Sequence, residues 1–126
     1  MGSTTAGTTG TTNLLYGVSF TDANTGAAVG ANGTILRTTN GGATWTSQLS
    51  YTASPLVAVV FTDANTGTIV GGSGTILHTT NAGATRELQP SITTYYLFAI
   101  SFANAYTAVA VGQNGTILRT TNAGVS

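Results

Sequence analysis

Gly33-Thr34-Ile35-Leu36-Arg37-Thr38-Thr39-Asn40 returns as Gly74-Thr75-Ile76-Leu77-His78-Thr79-Thr80-Asn81, and again as Gly115-Thr116-Ile117-Leu118-Arg119-Thr120-Thr121-Asn122. The interval is 41 residues each time, with no insertion. Phe20, Phe61 and Phe102 keep the same interval, and Thr21-Asp22-Ala23-Asn24-Thr25-Gly26 recurs intact one period later. A period held this strictly marks a repeat architecture rather than low complexity.

Working outward from that string, each repeat carries four short strand signals. The first covers 15–20, 56–61 and 97–102. Its residues alternate by size: Tyr16, Val18 and Phe20 share one face, while Gly17 and Ser19 share the other. Period-two alternation predicts a strand, and a large face opposite a small face suits sheets stacked closely on both sides. The second strand is expected at 27–30, 68–71 and 109–112. Asn32-Gly33 and Asn114-Gly115 follow, with Ser73-Gly74 in the middle repeat. Asn-Gly predicts a type I′ hairpin turn, because both central residues must take positive φ. The third strand is Thr34–Thr38 and its equivalents. The fourth is 44–50 and, more weakly, 85–89. Four antiparallel strands in about 40 residues are the unit of a β-propeller blade.

The turn after the third strand reads Thr38-Thr39-Asn40-Gly41-Gly42-Ala43-Thr44-Trp45. It resembles the Asp-box, or BNR repeat, of sialidase-like propellers, with Asn40 in the Asp place. The whole repeat resembles the Ycf48-like family of photosystem II assembly factors. The resemblance covers nearly all of the chain. It implies that Thr38, Asn40, Gly42 and Trp45, then Thr79, Asn81 and Gly83, then Thr120, Asn122 and Gly124, form structural turns rather than active sites. The second box has Arg86 where Trp45 stands in the first, and the third stops short of that position.

The expected fold is therefore all-β, with three propeller blades over residues 14–54, 55–95 and 96–126, the last completed by 1–13. Residues 2–12 stand where a fourth strand belongs, so one blade is divided between the termini. Propellers typically have four to eight blades, and three cannot close a ring. The expectation is that two chains form a six-bladed homodimer by exchanging the N-terminal strand. Such closure would remove exposed strand edges.

Composition narrows the function. Charged residues make up 5% of the chain, against about 25% in an average soluble domain. Three Arg and no Lys give no basic patch for nucleic acid. The longest apolar run, 56–61, is far shorter than the roughly 20 residues that span a bilayer, so no membrane insertion is expected. No Cys and a single His leave no metal-ligand cluster, and no cofactor is expected. Residues 1–13 lack a basic and then apolar leader, and Ala6 breaks the myristoylation pattern. Compartment stays undetermined, a secreted parent being compatible with the sequence. The clean tiling and the Met-Gly-Ser start fit a natural or a reconstructed chain alike.

Asp22 and Asp63 occupy one repeat position, with Asn104 in the third; Arg37, His78 and Arg119 occupy another on the same rim. The simple expectation is that they brace the rim as polar pairs. Paired catalytic carboxylates need contrasting environments about 5–10 Å apart, which equivalent turn positions do not supply. No enzyme is expected. Asn32-Gly33-Thr34 and Asn114-Gly115-Thr116 match the glycosylation sequon, but the hairpin turn explains both. The opposite rim would present Tyr51, Tyr95, Tyr96, Asn32, Gln113 and Asn114, a set suited to a neutral glycan or an extended peptide. The sequence thus points to a non-enzymatic, self-assembling propeller scaffold or binding module. The alternatives are a lectin-like glycan-binding ring, a Ycf48-like assembly factor that binds a membrane-protein segment, and a filament subunit.

Overall fold

The computed structural model describes residues 9–48, 50, 52–81, 87–88 and 93–121. They form three antiparallel sheets in chain order. The first blade is β1 (Leu15–Phe20), β2 (Gly26–Gly30), β3 (Thr34–Thr38) and β4 (Thr46–Gln48). The second is β5 (Leu56–Phe61), β6 (Gly67–Gly71), β7 (Ile76–Thr79) and β8 (Glu87–Leu88). The third is β9 (Leu97–Phe102), β10 (Ala108–Gly112) and β11 (Ile117–Thr120). Each sheet is a simple meander, so short turns join its strands.

The expected first strands coincide with β1, β5 and β9. The second strands begin one residue earlier than expected, and β4 begins at Thr46 rather than Thr44; residues 85, 86 and 89 of the expected strand around β8 lie outside the described residues. Residues 9–12, the described part of the expected closing strand, form no strand. Thr9 and Thr11 instead bond locally: the Thr9 hydroxyl donates to the Thr11 carbonyl at 3.2 Å and accepts the Thr11 N–H at 3.3 Å. Thr and Gly there supply short side chains that satisfy their own backbone and nothing large to bury. The rest of that segment, 1–8, lies outside the described residues.

The predicted hairpin turns form as expected. Asn32 has φ 60° and Gly33 φ 70°, and the Thr34 N–H donates to the Ala31 carbonyl. This is the type I′ pattern that Asn-Gly favours. Ser73 takes the same conformation in the second blade, with φ 57°.

Every blade also carries a β-bulge. The pairing slips between Leu15 and Gly17, between Leu56 and Ala58, and where Gly112 meets Leu97. The bulge lets each connecting segment reach over the second strand. Ala31, Gly72 and Gln113 donate their N–H groups to the carbonyls of Leu14, Pro55 and Tyr96, at 2.8, 2.8 and 3.0 Å.

The sheets stack face to face with their first strands converging. Val29 and Ile35 of the first blade join Leu56, Val59, Ile69 and Leu77 of the second in one buried cluster, with Phe61 against it. The small face of β1 makes this approach close. A β-carbon on Gly17 would stand 2.9 Å from the Val57 carbonyl oxygen. The alternation of large and small residues along β1 therefore sets the blade spacing.

Candidate functional site

Two rims flank the stacked blades. On one lie the β1–β2, β5–β6 and β9–β10 turns together with the ends of the third strands, since Gly26 pairs with Thr38 and Gly67 with Thr79. The acidic and basic repeat positions, Asp22 and Asp63 in the turns and Arg37 and His78 beside the ends of the third strands, lie along that rim.

At the turns, Asp22 Oδ1 accepts the N–H groups of Asn24 and Thr25 at 2.7 and 2.9 Å. Asp63 does the same for Asn65 and Thr66, both at 2.8 Å. Asn104 Oδ1 matches them with Tyr106 and Thr107, both at 2.9 Å. The backbone closes behind each side chain: Thr21, Thr62 and Ala103 donate to the carbonyls of Thr25, Thr66 and Thr107, all at 2.9 Å. The N–H donors hold both carboxyls below their ordinary value of 3.8, against a small opposing desolvation. A general acid or base at neutral pH needs a pKa near 7, so these carboxylates are tuned away from that work. They are turn caps. His78 Nδ1 lies 3.0 Å from the Thr68 hydroxyl. Arg37 and Arg119 sit at the matching register positions opposite Ala27 and Val109.

The first Asp-box is a closed polar knot. Thr38 Oγ1, almost fully buried, accepts the Gly42 N–H at 3.0 Å and donates to Asn40 Oδ1 at 2.9 Å. Asn40 Oδ1 also accepts the Thr44 N–H at 3.0 Å, and Asn40 Nδ2 donates to Thr44 Oγ1 at 2.8 Å. Trp45 Nε1 donates to the Gly42 carbonyl at 3.0 Å. The Gly41 N–H reaches across to the Asn24 carbonyl at 2.9 Å, tying the box to the Asp22 turn. The second box begins alike, with Thr79 Oγ1 donating to Asn81 Oδ1 at 2.9 Å. Gly83, Asn122 and Gly124 lie outside the described residues, whereas Thr120 ends β11.

The opposite rim holds the other predicted set. Tyr51 lies outside the described residues. Tyr95 and Tyr96 are exposed, and the Tyr96 ring sits 6.2 Å from that of Phe98. Gln113 Oε1 accepts the Tyr96 N–H at 3.0 Å. Asn32 Nδ2 donates to Asn13 Oδ1 at 3.3 Å, on the first blade. The structure thus joins Gln113 to Tyr96 on the third blade and places Asn32 two blades away. Asn114 shapes the third hairpin with φ 58°.

Sequence reasoning did not single out a groove between the second and third blades. It is open to solvent, holds about 450 Å³, and is lined by Val60, Phe61, Thr62, Ile100, Ser101, Phe102, Asn104 and Ala105. Its floor comes from the ends of β5 and β9, and its lip from the Asn104 turn. The signal that could have found it was the junction between equivalent strand ends, where Phe61 and Phe102 recur. No charged side chain lines it, which suits a neutral, partly apolar ligand. Among the described residues, no group of three His, Asp or Glu side chains could hold a metal ion, and no helix is long and apolar enough to cross a membrane.

Residues 6–86 match the family described as photosynthesis system II assembly factor YCF48. No curated protein matches the chain. A solved structure of YCF48 bound to D1 peptide is similar with a TM-score of 0.82 and 29% identity, covering 92% of this chain and 40% of that one. YCF48 from Cyanidioschyzon merolae has a TM-score of 0.77 and 20% identity, covering 90% of this chain and 38% of that one, and supports the fold alone. The chain spans about two fifths of the length of these solved relatives.

Proposed function

Since the chain belongs to the YCF48 family of photosystem II assembly factors, we propose that it is a non-enzymatic, peptide-binding propeller module of that kind. The observation that carries the reading is the groove between the second and third blades. Its floor is apolar, its lip offers Thr62 and Asn104, and nothing charged lines it. An extended peptide can lay apolar side chains on Val60, Ile100 and Phe102 and bond its backbone to the polar lip. A solved relative holds a D1 peptide, which favours a peptide over a glycan for this chain. The turn N–H groups that cap Asp22 and Asp63 hold both carboxylates ionised at neutral pH, which favours a structural role for them over acid catalysis.

The test is titration of a labelled D1 peptide into this chain. Ala105→Arg puts bulk and charge at an exposed lip position, and Phe102→Ala removes part of the floor. Each should weaken binding about tenfold, the effect of losing one good apolar contact. Absence of binding by the unaltered chain would overturn the reading. Loss of binding on Tyr95→Ala or Tyr96→Ala, with both groove variants unaffected, would move the site to the tyrosine rim.

A further inference from the structure

The two junctions among the three blades are built from the same repeat and differ at two positions that face the next blade. At the first junction these are Gly17 and Ser19. A β-carbon on Gly17 would stand 2.9 Å from the Val57 carbonyl oxygen, so its absence lets β5 come close. Ser19 Oγ accepts the Phe61 N–H at 3.3 Å, and Val59 is buried beside it. At the second junction Ala58 and Val60 hold those places. Ala58 supplies the β-carbon that Gly17 lacks, and Val60 has two methyl groups where Ser19 has one hydroxyl, so β9 stands further off. Ile100, the equivalent of Val59, is only half-buried. The groove of about 450 Å³ opens there, over Val60, Ile100 and Phe102.

The same exchange removes a hydrogen-bond acceptor. Thr62 and Ala103 donate their N–H groups to the carbonyls of Thr66 and Thr107 inside the turns, both at 2.9 Å. In an antiparallel ladder the N–H of the preceding residue then points off the edge of the sheet. That residue is Phe61 in the second blade and Phe102 in the third. The Phe61 N–H meets Ser19 Oγ. The Phe102 N–H meets Val60 instead, whose side chain has no oxygen to offer, and both residues line the groove. A backbone donor at an apolar floor gains from an acceptor that arrives with a ligand.

We propose that the Phe102 N–H is the anchoring donor of the groove, and that it donates to a main-chain carbonyl of a bound extended peptide. The carbonyl oxygen takes the place that Ser19 Oγ fills at the closed junction. The proposal rests on the peptide-binding reading above and adds the atom that fixes the register of the peptide. Any residue can present that carbonyl, so the donor orients the chain without selecting its sequence. Selection falls to the peptide side chain that seats on Val60 and Ile100. The pair Ala58 and Val60 thus opens the groove and keeps its donor for the ligand.

The experiment combines titration of the same labelled peptide with amide hydrogen exchange read residue by residue by NMR, circular dichroism confirming that each chain is folded. In the unaltered chain, saturating peptide should slow exchange at Phe102 about tenfold and leave Phe61, already bonded to Ser19, nearly unchanged. Ala58→Gly with Val60→Ser rebuilds the first junction. Ala58→Gly with Val60→Ala is its partner and lacks only the hydroxyl. The serine variant should protect the Phe102 amide without peptide and bind peptide about fivefold more weakly than the alanine variant, the effect of one hydrogen bond. Peptide that binds the unaltered chain without slowing exchange at Phe102 overturns the proposal and leaves the peptide reading standing. A serine variant that protects Phe102 yet binds as tightly as its alanine partner does the same. A serine variant that leaves Phe102 unprotected shows that the N–H does not face the groove, and also overturns it. No binding by the unaltered chain overturns both the proposal and the reading beneath it.

Discussion

The indole of Trp45 and the ring of Phe20 meet edge to face, with centroids 6.1 Å apart and planes at 83°. One residue ends β1 and the other follows the Asp-box, so the contact clamps the first and last strands of the blade across the rim. The indole N–H is spent on the Gly42 carbonyl, which fixes the ring. Trp45→Ala should cost about 1–3 kcal/mol, less than a fully buried tryptophan because one side of the ring is open. Trp45→Phe should keep most of the packing and lose about 1 kcal/mol with the hydrogen bond. Urea unfolding followed by circular dichroism checks both, since neither variant keeps the only tryptophan.

Asp22 and Asp63 predict an acid limb in stability. The N–H groups of Asn24 and Thr25, and of Asn65 and Thr66, hold the two carboxyls below 3.8. A carboxyl whose folded pKa lies below its unfolded value stabilises the fold above the unfolded value, and this is lost as pH falls through the folded one. The urea midpoint should therefore drop between about pH 5 and pH 2. Asn104 shows that an amide makes the same two bonds without titrating. Asp22→Asn with Asp63→Asn should flatten that drop and keep the turns. An unchanged acid limb in the double variant would show that the caps do not set it.

The fold was legible because each of its devices repeats. Phe20, Phe61 and Phe102 mark the strand ends, Asn32 and Asn114 the hairpins, and Gly17 with Ser19 the close face between blades. The bulges opposite Gly30, Gly71 and Gly112 were not legible, since a slip of one residue leaves the size alternation on the following residues intact. Nor was the partner of Asp22. Sequence offers it an arginine one strand away, whereas its own turn presents two N–H groups at hydrogen-bond distance. The groove escaped notice for a different reason. It is made by the junction of two repeats, and a repeat read singly has no junction. The Tyr95 and Gln113 rim was visible as composition, but a list of exposed polar residues does not say which of them meet. Among the described residues of that set, Tyr96 and Gln113 meet directly, through a backbone N–H.

The glycine that ends the second strand of each blade gives the sharpest test of the bulge. Gly71 has φ −173°, extended backbone that any residue adopts, so conformational strain plays no part. The obstacle is space. A β-carbon there would land on the Pro55 carbonyl oxygen and come within 2.9 Å of the Leu56 Cα. Both are backbone atoms, and Pro55 already accepts the Gly72 N–H at 2.8 Å. The chain cannot yield without opening the bulge and shifting Leu56, which is fully buried. Gly71→Ala should therefore cost about 3 kcal/mol, the upper part of the range for overpacking. Gly115→Ala offers the contrasting case. Nothing lies within 4 Å of its β-carbon, but its φ of +70° is left-handed. Its cost should be only about 1 kcal/mol, from backbone strain alone. Chemical unfolding of the two variants side by side separates these sources. If Gly71→Ala proved as mild as Gly115→Ala, the connecting segment would not be pinned over the second strand. The shared bulge would then be a consequence of blade packing rather than a cause of it.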